Sequence, residues 1–200
     1  MVTLGVPPDV FKSPKMNYST SYYQVEYHPK NLPHSDSSNP DHDINSANLL
    51  ALKDRFGNGY YGYKGKSISQ KEGMDFFFNL INPLINLDVP VLIIPSSNPE
   101  KTRSGMLRFA QKLASAGRID ATDCIVRTKK VDQDFSKDED NEIEYKSSLE
   151  IKNLEKIRGK KILLLDDVRT TGNSFQWVKE MLLENGAKEV GCLALGQTKR

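Results

Sequence analysis

The sequence predicts an α/β fold, a parallel sheet flanked by helices, with a divergent N-terminal region ahead of it. Three observations carry that expectation. Short apolar runs at residues 89–94, 124–126, 161–165 and 190–195 alternate with stretches whose apolar residues recur at helical spacing. The runs are continuous rather than alternating, as expected of strands covered on both faces in a parallel sheet. Directly after the third run stand two acids and a hydroxyl-rich glycine loop, at the position where an open sheet meets its ligand.

Composition bounds the rest. A chain of 200 residues, 38% hydrophobic and 27% charged, is the size of one sizeable domain. Its formal charge of +2 gives no bulk signal for nucleic acid, and no apolar run approaches the ~20 residues of a membrane span. Residues 1–18 lack the charged-then-apolar layout of a signal peptide, so a cytoplasmic location is expected. Cys124 and Cys192 lie in apolar runs and read as buried free thiols without chemistry.

Residues 1–20, with Pro7, Pro8 and Pro14 and little periodicity, are expected to form a flexible arm. Residues 21–88 are expected as an α/β extension that packs on the core or forms a hood. Within it, residues 21–27 alternate as a half-buried strand, with Tyr23, Val25 and Tyr27 on one face and Tyr22, Gln24 and Glu26 on the other. The polar stretch that follows holds His28, His34 and His42 at no zinc-ligand spacing, which favours a solvated loop. Residues 46–56 read as a short helix stopped by Gly57. Ser69 and Glu72 form a capping box opening a second helix, with Met74, Phe77, Phe78 and Ile81 on its apolar stripe and Pro83 at its end.

Residues 89–200 are the expected core. Its helices span 102–116, with Met106, Phe109 and Leu113 inward, and 174–184, closed by Gly186. Between them residues 128–160 show no clean period and begin with a strongly acidic half. That is the pattern of a mobile loop, a lid or a tether. As a lid it would reach an anionic ligand through Lys146, Lys152, Lys156 and Arg158 on its second half.

The chemistry-bearing segment begins with Ile162, Leu163, Leu164 and Leu165. Asp166 and Asp167 follow, then Val168, Arg169, Thr170, Thr171, Gly172, Asn173 and Ser174, and then an amphipathic helix. A helix starting directly after a parallel strand presents unpaired N–H groups and a positive dipole end. A phosphate suits that place, because Gly172 lets the backbone approach while Thr170, Thr171 and Ser174 add hydroxyl donors. Carboxylates repel phosphate, so Asp166 and Asp167 suit sugar hydroxyls or a magnesium ion. Rival phosphate motifs fail on the same letters. A haloacid-dehalogenase-type site needs acids two apart, but Val168 stands there, and no Gly-x-Gly-x-x-Gly occurs. Gly65-Lys66-Ser67 lacks the earlier glycine of a P-loop and reads as part of a glycine-rich turn over residues 59–67.

The segment resembles the signature of type I phosphoribosyltransferases. The resemblance implies that Asp166 and Asp167 hold the ribose hydroxyls of phosphoribosyl pyrophosphate and a magnesium ion, and that Thr170, Thr171, Gly172, Asn173 and Ser174 form the 5-phosphate loop. Thr170 joins the two acids as a catalytic candidate. Ser96 and Ser97, with Lys101 and Arg103 behind them, stand where the family holds pyrophosphate. Arg103-Ser104-Gly105, Arg127 and the short tail after the last run resemble the competence-associated branch. Purine-salvage members often carry an acid at the position of Thr170, and a threonine takes no proton at neutral pH, so guanine or hypoxanthine salvage is disfavoured.

The expected activity is magnesium-assisted transfer of ribose 5-phosphate to a small nitrogen acceptor, a nucleobase, with release of pyrophosphate. The alternative is a protein that senses phosphoribosyl pyrophosphate or a nucleotide without turning it over, since fold and motif do not separate catalysis from binding. A homodimer stays open, and neither membrane nor nucleic acid is expected as a partner.

Overall fold

The computed structural model describes residues 21–30, 39–54, 57–100, 104–131 and 139–198. The expected arm at 1–20, His34, Lys101, Arg103 and the acids Asp132, Asp134 and Asp138 lie outside the described residues. In chain order the first elements are β1 (Ser21–Tyr27), α1 (Ile44–Lys53), β2 (Tyr60–Tyr63), β3 (Lys66–Ser69), α2 (Gln70–Ile81), β4 (Pro90–Ile93) and α3 (Ser104–Ser115). They are followed by β5 (Ile119–Asp120), β6 (Ile125–Arg127), α4 (Glu139–Ser147), β7 (Leu149–Ile151), β8 (Lys161–Arg169), α5 (Asn173–Glu184) and β9 (Glu189–Thr198).

The main sheet is parallel throughout, in the order β1-β9-β8-β4-β5. Helices cover both faces, which is why its central strands are apolar on both sides. On one face Leu49 and Leu52 of α1, Phe77 and Ile81 of α2, and Phe109 and Leu113 of α3 pack on Leu163 and Leu165 of β8 and Leu193 of β9. On the other, Phe175, Val178 and Leu182 of α5 pack on Ile162 and Leu164 of β8 and Cys192 of β9. Each such side chain contributes ~1.5–3 kcal/mol by burial, so this two-sided core fixes the register of β8 and hence the height of the acids at its end.

Local chemistry sets the boundaries. Asp43 caps α1, accepting the Ser46 N–H at 2.8 Å, and Asp54 ends it in the left-handed region. The helix therefore runs two residues earlier than expected and stops before Gly57. Ser69 and Glu72 form the expected capping box of α2, and Pro83 lies in a single 3-10 turn at its end. Residues 59–67 are more than a turn. β2 and β3 form an antiparallel hairpin whose two-residue connection, Lys64 and Gly65, takes positive φ twice.

Two expectations are corrected. The apolar run at 124–126 does not enter the main sheet. β6 pairs antiparallel with β7, and the edge of the main sheet is β5, whose two residues are too short and too polar to register as a run. The stretch 128–160 also carries regular structure in its described part, namely α4, β7 and a 3-10 turn at Leu154–Lys156. α4 is polar around most of its circumference. Its main anchor is Tyr145, whose ring meets Trp177 of α5 at 5.1 Å, so it offered little periodicity to read.

Near the carboxyl ends the regular alternation of the sheet is interrupted. Leu165 and Val168 of β8 pack against the same cluster although they are three residues apart. On β1, Tyr23 packs against the α5 side while Val25 and Tyr27 pack against the α1 side, which departs from the single face expected for the three. Gly196 of β9 pairs with both Val25 and Val168 at this level, and an added Cβ there would lie 3.0 Å from Leu49 and Tyr27. No helix among the described residues is long and apolar enough to cross a membrane.

Candidate functional site

β8 delivers Asp166 and Asp167 to the carboxyl end of the sheet, and both are buried, 8% and 9% exposed. Burying ionised carboxylates is costly unless donors surround them. Asp166 Oδ1 accepts the Asp167 N–H at 2.8 Å, and Asp167 Oδ1 accepts the Val168 N–H at 2.6 Å. Asp167 Oδ2 lies 2.9 Å from the ammonium of Lys53 at the end of α1. That lysine escaped the sequence reading, since a basic residue in a last helical turn ordinarily just complements the dipole.

The strand then turns directly into α5. Gly172 is the N-cap at φ +90°, a left-handed conformation that glycine adopts without strain, and no side chain caps the helix. The Asn173 N–H reaches Thr171 Oγ1 at 3.5 Å. Asn173 is only 5% exposed, and among the described residues its Nδ2 has no hydrogen-bond partner. A buried unpaired donor costs ~1–3 kcal/mol, and an incoming oxyanion would remove that cost. Thr170 and Thr171 are exposed, and Ser174 is half-buried. Arg169, Thr171, Gly172, Asn173 and Lys179 border a cleft of about 370 Å³ against α5.

β4 lies beside β8, with Ile93 opposite Leu165, so the loop bearing Ser96 and Ser97 stands next to the acid pair. That loop is pinned from behind. The Ser96 carbonyl accepts from Arg127 Nε at 3.1 Å, and the Ser97 carbonyl accepts the Val131 N–H at 2.9 Å. Arg127 is buried, donates also to Ser148 Oγ, and lies over the Tyr145 ring at 4.5 Å. The structure thus brings Asp166, Asp167, Thr170–Ser174, Ser96 and Ser97 to one end of the sheet. Three of the four cations expected from 128–160 are engaged elsewhere. Lys146 pairs with Glu142 and Glu180, Lys152 with Glu150, and Lys156 with Asp123. Their pull on a ligand is therefore already answered by neighbouring acids.

No group of three or more metal-ligating side chains occurs among the described residues. The two adjacent carboxylates fit the other mode of magnesium binding, in which one or two acids share an ion with substrate phosphates.

A parallel sheet covered on both faces, with an acid pair and an open helix N-terminus at its carboxyl end, is an α/β architecture consistent with the type I phosphoribosyltransferase fold. Residues 103–198 match the model of the phosphoribosyl transferase domain family, a stretch of just under half the chain. The match supports phosphoribosyl transfer in general. It begins at α3, later than the resemblance read from residue 89, so β4 and the Ser96–Ser97 loop lie outside it. No curated protein matches the chain.

Proposed function

We propose that this protein binds phosphoribosyl pyrophosphate at the carboxyl end of β8 and transfers ribose 5-phosphate to a small nitrogen acceptor. The carrying observation is the continuity of buried acids, Gly172 at φ +90° and an uncapped helix N-terminus, with the unpaired Asn173 amide beside it. The 5-phosphate lies on the first turn of α5, where backbone N–H groups, Asn173 and the hydroxyls of Thr171 and Ser174 donate to it. The ribose diol donates to Asp166 and Asp167. Fixing the sugar at both ends holds its anomeric carbon against the acceptor, which is the protein's main contribution to rate. The anomeric C–O bond to pyrophosphate breaks, a C–N bond forms, and the acceptor's proton leaves to solvent or to the pyrophosphate. Asp166 and Asp167 would hold a magnesium ion together with the ligand, and the ion would supply positive charge against the departing pyrophosphate. Ser96 and Ser97, with Lys101 and Arg103, form the pyrophosphate side.

Arg103-Ser104-Gly105 and the buried Arg127 are the reason to place the chain near the competence-associated branch. Two buried cysteines outside any disulfide suit a reducing cytoplasm. A sensing role is the second reading, favoured because Thr170 supplies no base. The deciding experiment incubates the protein with magnesium, labelled phosphoribosyl pyrophosphate and a panel of nucleobases. Release of pyrophosphate with one base establishes the transferase, and tight binding without release establishes the sensor. Absence of binding overturns both.

A further inference from the structure

A lysine in the last turn of a surface helix normally ends in water, and an exposed ion pair there contributes little. Lys53 is placed differently. Its ammonium stands 2.9 Å from Asp167 Oδ2, with the lysine side chain 30% exposed and the carboxylate 13%. The Val168 N–H holds the other carboxylate oxygen at 2.6 Å, so the acid is gripped from two sides.

The scaffold builds this contact. Gly73 of α2 and Gly105 of α3 both lie against the backbone of α1, where an added Cβ would fall 2.4 Å from the Asn48 oxygen and 1.9 Å from the Leu52 oxygen. Gln70 Nε2 donates to the same Leu52 carbonyl at 3.1 Å. Two close backbone approaches and one hydrogen bond thus fix the turn that carries Lys53, immediately before its side chain leaves for β8. A side chain launched from a rigid element holds its partner more tightly than one from a loop.

We infer that Lys53 is a positioning residue for the ligand-binding carboxylate Asp167, supplied by the region that precedes the matched domain. The inference rests on the phosphoribosyl reading of the site. It predicts an effect that follows the sugar diol, because Lys53 acts through the group that binds it.

The test measures binding to the full chain by calorimetry, using phosphoribosyl pyrophosphate, ribose 5-phosphate and an analogue of the latter lacking the 2- and 3-hydroxyls. Lys53→Met is expected to weaken the two diol-bearing ligands by roughly tenfold and to leave the analogue unchanged. Lys53→Arg should restore most of the loss. Lys53→Met combined with Asp167→Asn should bind like Asp167→Asn alone. Wild-type affinity in Lys53→Met overturns the inference, as does equal weakening of the analogue, which would mark a purely structural bridge. Multiplying losses in the double variant would show a separate ligand contact and overturn it too. If Lys53→Met fails to fold, Lys53→Gln undergoes the same comparison with the same expected pattern. A wild-type protein that binds none of the three ligands refutes the underlying phosphoribosyl reading instead.

Discussion

Replacing Gly105 by alanine tests the packing that sets α1 against the sheet. A Cβ at this position would lie 1.9 Å from the Leu52 carbonyl oxygen and 2.9 Å from its carbon. Carbon–oxygen contacts settle near ~3.3 Å, so the two backbones must part by ~1.4 Å. Neither side can swing away as a side chain would, because both are helix main chain. The cost therefore belongs at the upper end of overpacking, ~3 kcal/mol. Two smaller terms cancel. Parting the helices loses the Gln70 bond to Leu52, ~1 kcal/mol, while alanine gains ~1 kcal/mol of helix propensity over glycine. For a chain of this size the net corresponds to a fall in Tm of ~6–12 °C. Thermal unfolding followed by circular dichroism measures it, with Gly62→Ala as control, since nothing lies within 4 Å of a Cβ there. The control should stay within ~0.5 kcal/mol of wild type. If Gly105→Ala melts within ~2 °C of wild type, the close approach of α3 to α1 is refuted.

Three further outcomes are expected. Asn173→Leu removes a buried donor without a partner, so the free protein should gain up to ~1 kcal/mol in urea unfolding while phosphoribosyl pyrophosphate binds more weakly; unchanged affinity would remove Asn173 from the phosphate loop. Hydrogen bonds from Lys112 and then Lys71 hold the Asp75 carboxyl below its usual range, so its contribution is complete above about pH 4 and is lost as pH falls through the lowered value; the stability gap between wild type and Asp75→Asn should shrink at pH 3, and a constant gap counts against the link. Burial pushes the Cys124 thiol up to about 11, leaving ~10⁻³ of it as thiolate at pH 8, so in a Cys192→Ala background a thiol reagent should label it only as fast as the chain unfolds.

How much of this was legible depends on whether the signal was local. The capping box of Ser69 and Glu72, the alternation of 21–27 and the apolar runs of β4, β8 and β9 all lie within a few residues of themselves, and the structure has them as strands and a helix in those places. β5 was invisible because it has two residues, one of them exposed, placed in the sheet by pairing with Pro90 and Val91. The run at 124–126 was misplaced because an apolar segment declares burial and not its partner, and β6 pairs with β7 while sharing a core with one face of the sheet. α4 was missed because one aromatic, Tyr145, does the anchoring that a stripe usually does.

The candidate site divides along the same line. The sequence placed Asp166 to Ser174 together because they are contiguous, and a contiguous motif carries its own geometry of strand, left-handed glycine and helix. Lys53 had no such signal, since its meaning arises only when Gly73 and Gly105 let three helices close on one another and aim its ammonium at β8. The matched stretch, residues 103–198, contains Asp166, Asp167 and residues 170–174 but neither Lys53 nor Ser96 and Ser97. On the proposed reading, the parts that would grip a sugar phosphate lie in the matched stretch, while Lys53 of α1 and the loop after β4 lie outside it. If the proposed function holds, a chain that keeps the matched stretch and changes residues 21–100 should keep the sugar phosphate and change the acceptor. The acceptor is therefore to be sought in residues 21–100, by exchanging side chains around Lys53 and Ser96 and asking which nucleobase then releases pyrophosphate.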